Sequence, residues 1–136
     1  MMYTPHFKKI VRDAVKLYRK ELNVEAFDIK IFYHSEEKEP ISSSIGKAAM
    51  DMRVTRRYLQ ATLGIYPTAI DEWKRNGDES IREIIAHEIA HIETQHMYEM
   101  AIAIYKDEGE THDAWERLTT ILGRFLYNAA ERKRKP

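Results

Sequence analysis

The sequence predicts a small α+β domain in which a helix is followed by three strands and then by two more helices. The chain has 136 residues, a length typical of one domain with its own core. Apolar residues recur with helical period near both ends of the chain, whereas the central part alternates with period two. Helices and strands that occupy separate parts of a chain are typical of α+β folds.

The first helix is predicted to begin after Thr4, because threonine is a good N-cap residue and Pro5 suits the first helical position. Apolar residues then recur every three or four positions as far as about Asn23. This spacing indicates an amphipathic helix with one face in the core. The residues of that face are Phe7, Ile10, Val11, Ala14, Leu17, Tyr18 and Leu22.

Three strands are predicted from the alternation of apolar and polar residues at 27–31, 50–54 and 59–65. A serine-rich stretch with a proline, at 34–46, is predicted to form the loop between the first two strands. The turn before the third strand is predicted at 55–57. The predicted sheet is therefore short and three-stranded.

Two helices are predicted after the sheet. Ser80 and Glu83 have the spacing of a capping box, and the helix that they open is predicted to run as far as Lys106, because no glycine or proline occurs before Gly109. The last helix is predicted from about Thr111. Its apolar stripe consists of Trp115, Leu118, Leu122, Phe125 and Ala129.

The composition excludes several classes of protein. The chain has no cysteine, which excludes a disulfide scaffold, a thiolate zinc site and a cysteine nucleophile. No apolar run approaches the roughly 20 residues of a membrane span, and the first residues lack the apolar core of a secretory signal. We therefore expect a cytoplasmic protein without membrane contact, with one domain at 1–131 and a basic tail at 132–136.

The charge is unevenly distributed although its total is zero, with 22 basic and 22 acidic residues. Residues 76–116 have a net charge of −9, whereas residues 117–136 have a net charge of +5. An acidic stretch of this kind favours a dication or a basic partner nearby. The basic end could contact nucleic acid, although solvated terminal charges are the simpler interpretation.

The segment His87-Glu88-Ile89-Ala90-His91 is an HExxH motif within the second predicted helix. Residues four apart on a helix lie about 40° apart in azimuth and one turn apart in height, so both imidazoles can bind one zinc ion. Glu88 lies about 100° from His87, where it can accept a proton from a water molecule. The alternative is a pair of incidental histidines. His96 lies on the opposite side of the helix from His87, so it is predicted to be a surface or packing residue.

The sequence SIREIIAHEIAHIE resembles the active-site helix of the zincin metallopeptidases. With the predicted strand at Tyr58–Tyr66 before it, the region is most similar to small SprT-like proteins and minimal gluzincins. This resemblance covers about residues 47–125. It implies a minimal zincin-like domain, with His87 and His91 as zinc ligands and Glu88 as general base. It also implies that a peptide substrate binds as an extra strand along the sheet edge, which would be Tyr58–Tyr66.

A catalytic zinc needs a third protein ligand, and two candidates remain open. His112, followed by Trp115, resembles the histidine-then-aromatic signature of SprT-like proteins. Glu116 is the alternative in the style of gluzincins, which place a glutamate on the helix after the motif. His112 lies nearer the apolar stripe of its helix, so we favour it over Glu116.

The length of the motif helix limits where a third ligand can come from. If the helix continues to Lys106, it ends about 22 Å beyond His91, and the six residues to His112 span at most about 20 Å. A ligand at His112 therefore requires the helix to bend or end near residues 97–103. Otherwise the remaining donors are Tyr127, Asn128 and Glu131, or the site is incomplete.

The sequence thus predicts a zinc-dependent metallopeptidase with a shallow cleft and low or latent activity, acting on peptides or proteins. Tyr98, Tyr105 and Tyr127 are candidates for a donor to the transition-state oxyanion, although each is also an ordinary packing residue. Two alternatives are a non-catalytic metal-binding module and a DNA-associated module of the same fold.

Overall fold

The computed structural model describes residues 2–38, 48–105 and 108–135, except for the side chains of His96 and of residues 102–105 and 108. These residues form four α-helices and one sheet, as the predicted fold class requires. Most of the predicted loop at 34–46 lies outside the described residues. The elements are α1 (Pro5–Glu21), β1 (Asp28–Tyr33), β2 (Met50–Thr55), β3 (Gln60–Ile65), α2 (Pro67–Asn76), α3 (Asp78–Tyr105) and α4 (Glu108–Arg134), with a single 3₁₀ turn at Arg56–Tyr58.

The strands are arranged in the order β1-β3-β2, with β1 parallel and β2 antiparallel to β3. The strand β3 is therefore central, and both of its sides are hydrogen-bonded within the sheet. The expectation that a substrate pairs with this strand is wrong, because its backbone groups already have partners. The described edges are β1 and β2, and β2 is the edge that packs against α3.

One face of the sheet carries the core. On β3, alternate residues Ala61, Leu63 and Ile65 are buried and belong to the main hydrophobic cluster. The helix α3 adds four fully buried isoleucines to this cluster, and α1 packs against α3 from another side. The motif helix is thus held in the centre of the domain. Its buried isoleucines are Ile81, Ile85, Ile89 and Ile92.

The helix ends agree with the sequence at some positions and differ at others. The side chain of Thr4 accepts a hydrogen bond from the Phe7 amide, which confirms the predicted N-cap. The helix α2 was not predicted, although Pro67 at its first turn is a helix-start signal. The prediction of a capping box at Ser80 and Glu83 is wrong, because α3 already begins at Asp78. The Ser80 hydroxyl donates instead to the Glu72 carboxylate at 2.7 Å.

The last two helices form an antiparallel hairpin with an extensive contact between them. The helix α3 continues without a break to Tyr105, and α4 begins by Glu108 and returns along it. Gly123 allows this close approach, since a Cβ atom there would lie only 2.9 Å from the Cα atom of His87. Because α3 neither bends nor ends before Tyr105, the condition set for a ligand at His112 is not met. The residue of α4 that returns to the motif is Glu116, and not one of the later donors expected for an unbroken helix.

A buried ion pair joins the beginning of α3 to the end of α4, far from the connection between the two helices. Arg82 and Glu131 are each 6% exposed, and their side chains are 2.7 Å apart. The Tyr18 hydroxyl of α1 also donates to the Glu131 carboxylate at 2.7 Å. Burial alone would raise the pKa of Glu131, but the hydrogen bonds from Arg82, Tyr18 and Arg134 outweigh it and hold the pKa below its usual value.

We expect Glu131→Gln to lower the free energy of unfolding by about 3–5 kcal/mol at neutral pH, because Arg82 would stay buried without a counter-charge. A lowered carboxyl pKa stabilises the fold above the unfolded value of about 4.3 and ceases to do so as the pH falls through the folded value. The difference from the parent protein should therefore shrink on acidification. Urea unfolding at a series of pH values measures it, with the exposed Glu83→Gln as control. A difference that is independent of pH would contradict the assignment.

Candidate metal centre

The motif residues come together on one side of α3. The ligand atoms of His87, Glu88 and His91 all lie within 4.8 Å of one another, which makes them a group able to hold a metal ion. His91 and Glu88 are buried, with 6% and 8% exposure, whereas His87 is partly exposed. The apolar neighbours of the motif bury one side of α3 in the core, so the two imidazoles lie at the edge of that core.

Glu116 of α4 lies against both imidazoles. Its two carboxylate oxygens are each 3.4 Å from a histidine Nε2 atom, one from His87 and the other from His91. Two nitrogens from α3 and a carboxylate from α4 thus converge on one point. This donor set, two histidines and one acidic residue, is common in catalytic zinc sites.

His112, the third ligand favoured from the sequence, occupies a different environment. Its ring stands edge-on to Trp115 at 5.6 Å and to Tyr98 at 6.0 Å between centroids. It is close enough for its charge to influence the titration of His91 and Glu116. The geometry therefore favours Glu116 over His112 as the third ligand, contrary to the preference drawn from the sequence.

The remaining candidates have other partners. Glu131 is paired with Arg82, and the Tyr127 hydroxyl donates to Glu79. Asn128 is exposed on α4. The side chains of His96 and Tyr105 lie outside the described part of the structure, so their predicted roles stay predictions.

A set of residues on the facing helices supports the site. The Trp115 ring packs against His91 at 4.6 Å, and its indole Nε1 donates to the Thr94 hydroxyl at 2.9 Å. The buried hydroxyls of Thr94 and Thr119 are 2.7 Å apart. Tyr98 stacks on Trp115 with 4.1 Å between centroids, which supports a packing role for this tyrosine. Ring packing of this kind holds the His91 imidazole in one orientation.

The electrostatics of the site follow from burial and from its neighbouring charges. Burial raises the pKa of Glu88 well above its usual value, and the charges of Glu116 and Asp51 raise it further. Burial also lowers the pKa of His91 to about 4, against the opposing effect of Glu116. A hydrogen bond from His87 is the main cause of the lowered pKa of Glu116.

The site fits a zinc ion on the chemistry of its donors. His91 is neutral at physiological pH, and neutral imidazole is the form that binds metal. Glu116 is ionised, as a metal-binding carboxylate must be. The buried Nδ1 atom of His91 has no hydrogen-bond partner among the described residues, so no competing protein contact determines which of its nitrogens carries the proton.

A second polar cluster, which the sequence reasoning missed, lies on β2 and the adjoining segments. Asp51 accepts hydrogen bonds from Lys38 at 2.7 Å and from the Tyr66 hydroxyl at 3.0 Å. Its side chain occupies the space beside Gly64, where a Cβ atom would lie 2.3 Å from a carboxylate oxygen. Asp51 and Gly64 are register partners, so a glycine in the central strand was the available signal. The cluster adjoins the site, because the charges of Asp51 and Lys38 both act on Glu88.

A cleft of about 390 Å³ adjoins His87 between α2, α3 and α4. Its wall includes acidic residues of α2 and α3 and Arg124 of α4. It opens to solvent beside His87. The lining residues are Glu72, Ser80, Glu83, Ile84, His87, Thr120, Gly123 and Arg124.

Residues 57–108 match Peptidase family M48. The match covers less than half of the chain and includes β3, α2 and all of α3 with the HExxH motif. It supports a metal-dependent peptidase type of function for this region, while the SprT-like and gluzincin subtypes are not distinguished. Glu116 and His112 both lie beyond the matched residues. No curated protein and no solved structure is significantly similar to the chain.

The remaining expectations concern membranes and the basic tail. Among the described residues, no helix has the length and hydropathy that crossing a membrane requires. The predicted tail is not separate, because α4 continues to Arg134. Its charges pair within the domain: Lys133 with Glu21, and Arg134 with Glu79. These ion pairs do not support a nucleic-acid contact by the tail.

Proposed function

We propose that the protein is a zinc-dependent metallopeptidase in which His87, His91 and Glu116 hold the metal and Glu88 is the general base. The observation that carries the proposal is the convergence of Glu116 with both imidazoles at 3.4 Å. The match of residues 57–108 to a peptidase family supports, independently of that geometry, a metallopeptidase type of function.

A zinc ion bound by these three residues would polarise the scissile carbonyl and lower the pKa of the attacking water. Glu88 would take the proton of that water. This role is supported by the position of its carboxylate, which lies within 4.8 Å of the ligand atoms of both histidines and is not needed as a ligand itself. Its carboxyl later gives the proton to the leaving amine. Burial of Glu88 in an apolar surrounding favours proton uptake, and its raised pKa expresses this preference.

The outer edge of β2 is the proposed binding surface for the peptide backbone. Within the described sheet, β2 has a free side and also packs against the motif helix. A substrate added as a strand there would use main-chain hydrogen bonds for affinity. It would pass on the side of the sheet nearest to Glu88, and the Asp51 cluster would lie beside it.

Metal analysis of the purified, zinc-loaded protein tests the proposal most directly. We expect about one zinc per chain, and His87→Ala should lose most of it together with cleavage of fluorescein-labelled casein. His6→Ala is the matched control, because His6 lies on the surface of α1 with a side chain that is 65% exposed. A parent protein without stoichiometric zinc would refute the proposal.

A further inference from the structure

Exposed apolar side chains are concentrated on the hairpin of α3 and α4. Within the described residues, nine large apolar side chains are exposed, and five of them lie on these two helices. We call these five the hairpin face. A single exposed apolar residue is ordinary, but a group on one supersecondary unit indicates an interaction surface. The five are Met97 (59% exposed), Met100 (52%), Leu118 (40%), Ile121 (48%) and Phe125 (70%).

The hairpin face consists of two stripes that adjoin each other. On α4, Leu118, Ile121 and Phe125 are three and four residues apart, so they lie along one side of the helix. On α3, Met97 and Met100 are one turn apart. Met97 and Leu118 line the same groove, of about 160 Å³, between the two helices. None of the five residues belongs to the proposed metal centre.

Opposite charges flank the two stripes. Glu93 is exposed on α3 and precedes Met97 by four residues, which places it on the methionine stripe. On α4, Arg117 and Arg124 are exposed on either side of Ile121 along the chain, and residues 117–130 contain no other charged residue. Asp113, one turn before Arg117, is also exposed, so the α4 edge is basic only along residues 117–125. The hairpin face is therefore acidic at Glu93 on α3 and basic beside Leu118, Ile121 and Phe125 on α4.

We propose that the hairpin face binds a second copy of this chain, with α4 of each protomer packed on α3 of its partner. In a two-fold dimer the same patch is used twice, so a patch with one acidic and one basic edge complements itself in this arrangement. Glu93 then meets the arginines of the partner. Phe125 supplies the aromatic anchor at the interface, since aromatic side chains dominate the energy of such contacts.

Within one chain α3 and α4 already pack on each other, and Lys133 and Arg134 at the end of α4 pair with Glu21 and Glu79. The charges left for a partner are therefore those beside the hairpin face. A membrane surface fits less well, because Glu93 would face an anionic lipid together with the methionines.

Sedimentation equilibrium over a concentration series tests the proposal on the whole chain. We expect a monomer–dimer equilibrium, and we expect Phe125→Glu to weaken dimerisation at least about tenfold. Phe32→Glu is the matched control, because Phe32 is 58% exposed on β1, away from the hairpin. Circular dichroism checks that both variants are folded. A parent protein that stays monomeric, or a dimer that Phe125→Glu leaves unchanged, would overturn the proposal.

A charge exchange gives a second, independent test. Glu93→Arg alone, and Arg117→Glu with Arg124→Glu, should each weaken the dimer, because like charges then face each other across the interface. The three changes together should restore most of the affinity. Failure of this rescue would refute the pairing of α3 with α4.

Binding of a monomeric parent protein to phosphatidylglycerol vesicles would assign the hairpin face to a lipid surface instead. Neither test depends on peptidase activity or bound zinc.

Discussion

Replacing Glu88 with glutamine is expected to reduce peptide cleavage by roughly 10²- to 10⁴-fold, the usual contribution of a general base. Glutamine keeps the size of the side chain but cannot accept the proton of the attacking water. The zinc content should be unchanged, because the proposed ligands are His87, His91 and Glu116. Steady-state cleavage of fluorescein-labelled casein, together with metal analysis of the same sample, measures both effects.

Glu99→Gln is the control for this prediction, since Glu99 is exposed on the same helix and lies outside both the metal-binding group and the hairpin face. It should leave cleavage by equal concentrations of protein nearly unchanged. If Glu88→Gln cleaves as fast as the parent protein, Glu88 is not the general base. If the parent protein and Glu88→Gln both bind zinc but neither of them cleaves any peptide, the non-catalytic metal-binding module becomes the better interpretation.

The second large effect is expected at the third ligand. Glu116→Ala should weaken zinc binding by at least about 100-fold, more than the loss of a residue that only supports a ligand. His112→Ala should change the affinity much less, because Glu116 rather than His112 contacts the Nε2 atoms of both histidines. Competition with a chromophoric chelator measures both affinities.

His112 and Glu116 were both candidates from the sequence, so the two variants form a matched pair on one helix. A larger loss of zinc affinity in His112→Ala than in Glu116→Ala would reverse the assignment and favour His112, as in the SprT-like pattern. Equally small losses of affinity in the two variants would mean that the two histidines hold the metal without help from α4.

Local patterns were enough to predict the elements that depend on neighbours in sequence. Thr4 and Pro5 indicated the start of α1, and the period-two alternation indicated all three strands. The helix α2 was missed, since its ten residues lack a long periodic pattern. The capping box at Ser80 was misread because Glu72, a residue of the preceding helix, binds the serine hydroxyl.

Features that join distant parts of the chain could not be predicted in this way. The central position of β3 depends on β1 passing to its far side, and no property of residues 60–65 encodes that order. The Asp51 cluster depends on a cross-strand pairing with Gly64. The choice between His112 and Glu116 depends on how closely α4 returns along α3, which Gly123 permits.

The sequence by itself determined the part of the site that lies on one turn of helix. Helical geometry places residues four apart side by side, so the spacing of His87 and His91 already implied that both could bind one metal ion. Only the tertiary structure brought Glu116 to that pair and made β2 the edge beside it. Both depend on packing between elements, which burial and close contact decide over the whole domain and no local pattern records.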